Sequence, residues 1–155
     1  MVRLLKKLPV LFLEVNCYFY AQSTKKLPTM SYQNLLLIDD DEDDQMMFLD
    51  AIQELSSSIT CKAFDNAFEA LNLLVAKTLK PEIIFLDLNM PIMNGEEFLR
   101  EIKLHAELRA IPVIILSTSS VVDVIDKMMA MGAHDFITKP NSYTQLTSML
   151  KRIIN

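Results

Sequence analysis

The sequence predicts an α/β fold in which a parallel β-sheet is covered by helices on both faces. Short, continuous apolar runs recur along the chain, and this pattern is typical of strands buried on both faces. Segments with helical spacing of apolar residues separate the runs, and strands that alternate with helices form parallel sheets through right-handed crossovers. The chain has 155 residues, of which 51% are hydrophobic. This is enough for one domain with a substantial core.

The predicted elements follow the order βαβαβαβαβα, which gives a doubly wound five-stranded sheet. Strands are predicted at residues 35–38, 59–64, 83–86, 113–116 and 136–138. Helices are predicted at about residues 41–56, 66–77, 96–104, 121–131 and 142–154. Asn66 and Ser142 are suitable N-cap residues, and Gly132 suits the C-terminal end of the fourth helix. Pro81 and Pro112 each precede a strand and restart the chain after a helix.

Charge and glycine content exclude several classes of function. Residues 1–30 carry five basic residues and one acidic residue, whereas residues 31–155 carry ten basic and 19 acidic residues. Residues 31–155 therefore carry a net charge of −9, which makes this part of the chain a poor partner for nucleic acid, because nucleic acid binds basic surfaces. The two glycines cannot form a glycine-rich phosphate-binding loop, and the two cysteines provide neither a disulfide framework nor a zinc site.

The first thirty residues differ in character from the rest of the chain. A basic start is followed by an apolar run at residues 8–20, which Pro9, Glu14 and Asn16 interrupt. The run is too short and too broken to span a bilayer. We expect residues 1–30 to be a disordered extension, or residues 1–29 to precede a biological start at Met30, with a genuine tail or anchor as the alternative. The domain itself is expected at residues 31–155.

Chemically active side chains follow the predicted strands. Asp39 and Asp40 end the first strand, Asp87 the third, Ser117 the fourth and Lys139 the fifth. In open α/β sheets, ligands bind beyond the carboxyl ends of the strands. We therefore expect three carboxylates, a hydroxyl and an ammonium to converge on one edge of the sheet.

This set of groups indicates phosphoryl transfer with a divalent metal. Carboxylates at about 4 Å repel one another by roughly 1 kcal/mol in water, and more in a protein, so the cluster requires a cation. Oxygen ligands with few protein bonds suit Mg²⁺. A carboxylate nucleophile beside Mg²⁺, a hydroxyl and a lysine meets the needs of phosphoryl transfer, which depends on positioning and charge neutralisation.

Four segments resemble the receiver domains of two-component response regulators. They are IDDD at residues 38–41, FLDLNMPIMNG at 85–95, VIILST at 113–118 and GAHDFITKP at 132–140. The resemblance covers about residues 34–154, and residues 103–112 are similar to small stand-alone, chemotaxis-type regulators that pair with bacterial phytochromes. It implies a flavodoxin-like strand order, 2-1-3-4-5.

The resemblance also implies which residues bind metal and phosphate. Asp87 would be phosphorylated, and Asp40 and Asp87 would ligate Mg²⁺ through carboxylates. Asn89 would ligate Mg²⁺ through its backbone carbonyl, and Asp39 would hold the metal through water. The acidic residues that follow, 41–44, are interpreted as the solvated first turn of helix one, where the helix dipole favours negative charge.

Three further residues would respond to the phosphoryl group. Lys139 would pair with a phosphoryl oxygen, and its bond to Pro140 is expected to be cis. Ser117 would hydrogen-bond the phosphoryl group and draw its loop inward. Phe136 would be the aromatic residue that moves behind Ser117. The loop at residues 117–120 and Phe136 would together form the switch.

The expected partners follow from the resemblance. A sensor histidine kinase or a phosphotransfer protein would donate the phosphoryl group, and the location would be cytoplasmic. A downstream protein would bind the face made by helix four, strand five and helix five, and a homodimer is a further option. Helix four carries more apolar residues than one core stripe needs: Val121, Val122, Val124, Ile125, Met128 and Met129. No membrane partner is expected.

Two other functions compete with a phosphoacceptor switch. A Mg²⁺ phosphatase with an aspartate nucleophile would usually have a second acid two residues later, where this chain has Asn89. A pseudo-receiver would bind partners constitutively, although the complete set of acids, hydroxyl and lysine argues against it. We therefore expect a switch that assists its own phosphorylation and dephosphorylation, not an enzyme acting on a separate substrate.

Overall fold

The computed structural model describes residues 32–154 and confirms the predicted alternation of strands and helices. The predicted extension at residues 1–30 lies outside these described residues. The strands are β1 (Asn34–Ile38), β2 (Thr60–Phe64), β3 (Ile83–Asp87), β4 (Val113–Ser117) and β5 (Asp135–Thr138). The helices are α1 (Glu42–Leu55), α2 (Ala67–Val75), α3 (Gly95–Leu104), α4 (Val122–Ala130) and α5 (Tyr143–Ile154).

The five strands form one parallel sheet in the order β2-β1-β3-β4-β5, as the resemblance implied. The register pairs Ile38 of β1 with Leu86 of β3, and Asp87 of β3 with Leu116 of β4. Ser117 at the end of β4 lies opposite Thr138 at the end of β5. The carboxyl ends of these four strands therefore meet at one edge of the sheet, where the predicted site residues lie.

Two apolar layers cover the sheet. In one layer, side chains of α2 and α3 pack against one face of the sheet. In the other layer, side chains of α1 and α5 pack against the opposite face. The rings of Phe48 on α1 and Phe85 on β3 meet edge to face, with centroids 4.9 Å apart. Every residue of β3 and β4 is buried, which explains the continuous apolar runs at residues 83–86 and 113–116.

Polar caps fix where several helices begin. The Asp41 side chain accepts hydrogen bonds from the backbone N–H groups of Asp43 and Asp44, and Asn66 caps α2 in the same way. Asn94 and Glu97 form a reciprocal capping box at the start of α3. The predicted helix limits lie within two residues of the observed ones. None of the described helices is long and apolar enough to cross a bilayer.

Helix α4 buries fewer residues than the other helices. Its N-cap residue, Val121, makes no side-chain capping bond, and Met128 is the buried side chain of the helix. Val121, Val122 and Met129 are 56%, 49% and 37% exposed. Val124 and Ile125 are half-buried, so the core takes up only part of the apolar residues in this segment.

Gly95 is required where α3 approaches the end of β3. A Cβ at this position would overlap the backbone oxygen of Asp87 and would lie 2.8 Å from the Cα of Leu88. The Gly95 N–H donates to the backbone oxygen of Leu88 at 3.0 Å, which closes the β3–α3 loop. Gly132 has a different role, since it adopts a φ of +97° just after α4.

We predict that Gly95→Ala lowers the free energy of unfolding by about 3 kcal/mol, because backbone atoms cannot move aside as a flexible side chain can. Gly132→Ala is the matched control. The atoms nearest to its Cβ would belong to the flexible Lys103 side chain, at 3.5 Å or more, so its cost is the left-handed backbone strain of about 1 kcal/mol. Urea denaturation measures both. Equal losses would contradict the steric explanation.

Candidate functional site

Three carboxylates meet at the carboxyl edge of the sheet. Asp39 and Asp40 follow β1, and Asp87 is the last residue of β3. One carboxylate oxygen from each lies within 4.8 Å of the others. Asp39 and Asp87 are 2% and 4% exposed, whereas Asp40 faces solvent. The predicted convergence of these acids is confirmed, and their all-oxygen donor set with one open side fits a hard divalent cation.

Lys139 supplies a positive charge to this cluster from the end of β5. Its Nζ lies 2.7 Å from Asp39 Oδ2, 2.8 Å from Asp44 Oδ2 and 3.0 Å from Asp87 Oδ1. The Lys139 N–H donates to the backbone oxygen of Ser117 at 2.8 Å, which fixes where the lysine leaves the sheet. The ammonium is largely buried, so these ion pairs are stronger than surface pairs would be.

Burial and hydrogen bonding both shift the pKa values of Asp39 and Lys139. Burial raises the pKa of Asp39, and the hydrogen bond from Lys139 only partly opposes this effect. Burial by itself would lower the pKa of Lys139. Its hydrogen bonds to Asp39, Asp44 and Asp87 outweigh burial, so the pKa of Lys139 is raised above its ordinary value. The lysine is therefore a fixed cation at neutral pH.

Backbone donors hold the two buried carboxylates in place. The Asn89 N–H donates to Asp87 Oδ2 at 2.6 Å, and the Asp41 N–H donates to Asp39 Oδ1 at 3.1 Å. Gln45 Nε2 donates to the backbone oxygen of Asp39 at 2.6 Å. One carboxylate oxygen of Asp87 thus accepts from the Asn89 N–H, and the other forms an ion pair with Lys139.

Ser117 and Phe136 lie on the neighbouring strands. Ser117 is fully buried directly after Leu116, which pairs with Asp87 in the sheet, and its Oγ accepts from the Ser119 N–H at 3.1 Å. Phe136 is half-buried on β5 and packs against the core layer on the α2–α3 side. Ser117 thus lies at the same edge of the sheet as the acidic cluster, and Phe136 lies two residues before the end of β5. Their role as a switch stays a prediction.

Two expectations at this edge are wrong. No cis peptide bond occurs between residues 32 and 154, so the Lys139–Pro140 bond is trans. The trans form of an X-Pro bond is favoured intrinsically by about 0.5–1 kcal/mol, and Lys139 reaches all its partners from it. Asp44 is not simply a solvated residue of the first helical turn, since it binds Lys139, whereas Asp41, Glu42 and Asp43 are exposed.

Comparison with known proteins identifies the family. Residues 35–151 match the model of the response regulator receiver domain. The chain belongs to this family. Receiver domains of response regulators take phosphoryl groups from histidine kinases. The resemblance inferred from four short motifs therefore extends over most of the described residues.

Several relatives resemble the chain in sequence or structure. The phosphorylated cyanobacterial phytochrome response regulator RcpA shares 30% identity at a TM-score of 0.73, over 79% of this chain and 91% of RcpA. The Mn²⁺-bound form of response regulator Rcp1 shares 26% identity at a TM-score of 0.70, over 78% of this chain and 91% of Rcp1.

Curated relatives include longer proteins. The transcriptional regulator NtrC of Escherichia coli K12 is 31% identical over 99 residues, which are 64% of this chain and 20% of NtrC. The rice response regulator ORR5 (Oryza sativa subsp. japonica) is 32% identical over 99 residues, 64% of this chain and 73% of ORR5. The chain thus matches about a fifth of NtrC, and the common part is the receiver domain.

We predict that Asp40→Asn stabilises the protein in the absence of divalent metal by about 1 kcal/mol, because it removes one of three crowded charges. The same change should reduce the rise in melting temperature that Mg²⁺ causes, since one metal ligand is lost. Thermal denaturation with EDTA and with increasing Mg²⁺ measures both effects.

Asp43→Asn is the control, because Asp43 is an exposed acid of the same loop and helix turn outside the carboxylate cluster. It should leave the response to Mg²⁺ unchanged. An Asp40→Asn protein that keeps the full response to Mg²⁺ would show that the metal binds elsewhere.

Proposed function

We propose that the chain is a phosphoacceptor switch of two-component signalling, with Asp87 as the residue that is phosphorylated. The observation that carries this proposal is the setting of Asp87. It is a buried carboxylate with one oxygen 3.0 Å from the Lys139 ammonium. One carboxylate oxygen each of Asp39 and Asp40 lies within 4.8 Å of an Asp87 oxygen, and the three acids together form a candidate cation site. A phosphohistidine of a sensor kinase or of a phosphotransfer protein would be the donor.

The transfer requires no proton relay on this chain. A carboxylate oxygen of Asp87 attacks phosphorus, the new O–P bond forms, and the N–P bond to the donor histidine breaks. The electron pair of that bond returns to the imidazole nitrogen, which then takes up a proton. Lys139 would donate to the transferring phosphoryl oxygens, because its ammonium already lies at the Asp87 carboxylate. Positioning and charge neutralisation therefore supply the catalysis.

Asp39, Asp40 and Asp87 would hold Mg²⁺, with the backbone carbonyl of Asn89 as a further ligand. When bound, Mg²⁺ neutralises charge that develops on the phosphoryl oxygens. The donor set supports this assignment, since three carboxylates in one cluster repel one another without a cation. The Mn²⁺-bound relative Rcp1 agrees with a divalent metal in this fold.

The signal would pass from the site to the face formed by α4, β5 and α5. Phosphorylation adds about −1.5 to −2 charges and three acceptor oxygens. The buried Ser117 hydroxyl could donate to one of these oxygens as its loop moves inward, because towards the Ser119 N–H its Oγ acts only as an acceptor. Phe136 would follow that movement. The weak packing of α4 and its exposed Val121 and Val122 support this face as the surface for a downstream protein or a second copy.

We also propose that the protein does not turn over a separate substrate. Asn89 stands two residues after Asp87, where an aspartate-based phosphatase would need an acid, and an amide cannot deliver a proton. A cytoplasmic location is proposed with this function, because the donor kinase would use ATP. Hydrolysis of the acyl phosphate on Asp87 would reset the switch.

We predict that incubation with Mg²⁺ and a small acyl phosphate adds the mass of one phosphoryl group, and that EDTA prevents the addition. Asp87→Asn should abolish it, because an amide is not a nucleophile here. Asp50→Asn, which removes an exposed acid of α1 away from the site, should remain fully phosphorylated. Intact-mass spectrometry measures all three proteins.

The opposite result is equally clear. A mass gain that persists in Asp87→Asn would place the phosphoryl group on another residue. A folded wild-type protein that gains no mass from acyl phosphate or phosphoramidate would favour the pseudo-receiver that binds partners constitutively.

A further inference from the structure

Asp44 lies outside the carboxylate cluster but contacts the lysine that serves it. It belongs to the first turn of α1, and its Oδ2 lies 2.8 Å from Lys139 Nζ. The ligand oxygens of the cation cluster come from Asp39, Asp40 and Asp87, and Asp44 is not among them. Asp44 therefore touches the proposed chemistry only through Lys139.

Three carboxylates surround the Lys139 ammonium, which has three N–H donors. It donates hydrogen bonds to Asp39 and Asp44, and it forms an ion pair with Asp87 at 3.0 Å. Asp39 and Asp87 have other duties in the proposed reaction, because both belong to the candidate metal set and Asp87 is the phosphoacceptor. Asp44 is then the acceptor that can keep holding Lys139 while the other two change partners.

Asp44 is itself fixed in place. The Asp44 N–H donates to Asp41 Oδ1 at 3.1 Å, and the next residue, Gln45, donates from Nε2 to the Asp39 backbone oxygen at 2.6 Å. These bonds attach the first turn of α1 to the end of β1. A lysine side chain is long and loses considerable rotamer freedom when it is held in one position. A fixed acceptor such as Asp44 therefore restricts the conformations that the Lys139 side chain can adopt.

We propose that Asp44 is a positioning residue for phosphoryl transfer, which keeps the Lys139 ammonium at the carboxylate of Asp87. This inference rests on the proposed function. The alternative is a simpler electrostatic role, in which the negative charge of Asp44 repels an anionic phosphoryl donor. Removal of that charge would then accelerate the reaction. The two effects have opposite signs, so a rate measurement separates them.

The test compares initial rates of phosphorylation by a small acyl phosphate at saturating Mg²⁺. Asp44→Ala should be about tenfold slower than wild type, which corresponds to the loss of one charge-assisted hydrogen bond. Asp44→Asn, which keeps an acceptor oxygen, should recover part of the rate and serves if the alanine variant does not fold. Asp43→Ala, from the same turn but without a contact to Lys139, should match wild type.

The decisive readout is a double-mutant cycle with Lys139→Ala. If Asp44 acts through Lys139, Asp44→Ala has no further effect in the Lys139→Ala background. The same fold loss in both backgrounds would overturn the inference, as would an Asp44→Ala protein that reacts as fast as wild type or faster. Failure of the wild type to be phosphorylated would instead defeat the proposed function itself, so the two failures are distinguishable.

Discussion

The contact between the Lys139 ammonium and the carboxylates around it is the interaction on which the site depends. Asp39, Asp44 and Asp87 come from the end of β1, from α1 and from β3, and the lysine follows β5. Each carboxylate would repel the others if brought together alone. One cation shared among them makes their close approach tolerable and leaves the cluster negative, as a divalent metal site requires.

The sheet determines that these groups meet. β1 and β3 are neighbours in its centre although α1, β2 and α2 separate them in sequence, so Asp39 and Asp87 become adjacent. The apolar residues of β3 and β4 are buried on both faces, which leaves the strand ends as the place for polar chemistry. Gly95 then allows α3 to begin close to Asp87, because a larger residue would overlap the backbone there.

The sequence predicted most of this arrangement because the signals are strong and local. Short apolar runs predicted the strands, and the polar residues that directly follow these runs, including Asp87 and Lys139, predicted the site. The contact of Asp44 with Lys139 was missed because residues 41–44 were interpreted together as one solvated turn, and the lysine lies 95 positions later in the sequence. A helical wheel anchored on the buried Phe48 could have placed Asp44 on the inner face.

Other features depend on tertiary context. Ile92 adopts a φ of +68° in the β3–α3 loop, a conformation that a β-branched residue rarely takes. Closure of that loop by the Gly95–Leu88 hydrogen bond imposes a path that no residue preference predicts.

The proposed function rests on phosphorylation of Asp87 beside a divalent metal and Lys139. A crystal structure with Mg²⁺ and beryllofluoride, a mimic of the acyl phosphate, tests it most directly. We expect beryllium bonded to an Asp87 carboxylate oxygen, metal on Asp40 and Asp87, and fluorine atoms within hydrogen-bond distance of Lys139 Nζ and Ser117 Oγ. Beryllofluoride on a different carboxylate, or a metal bound away from these acids, would contradict the account.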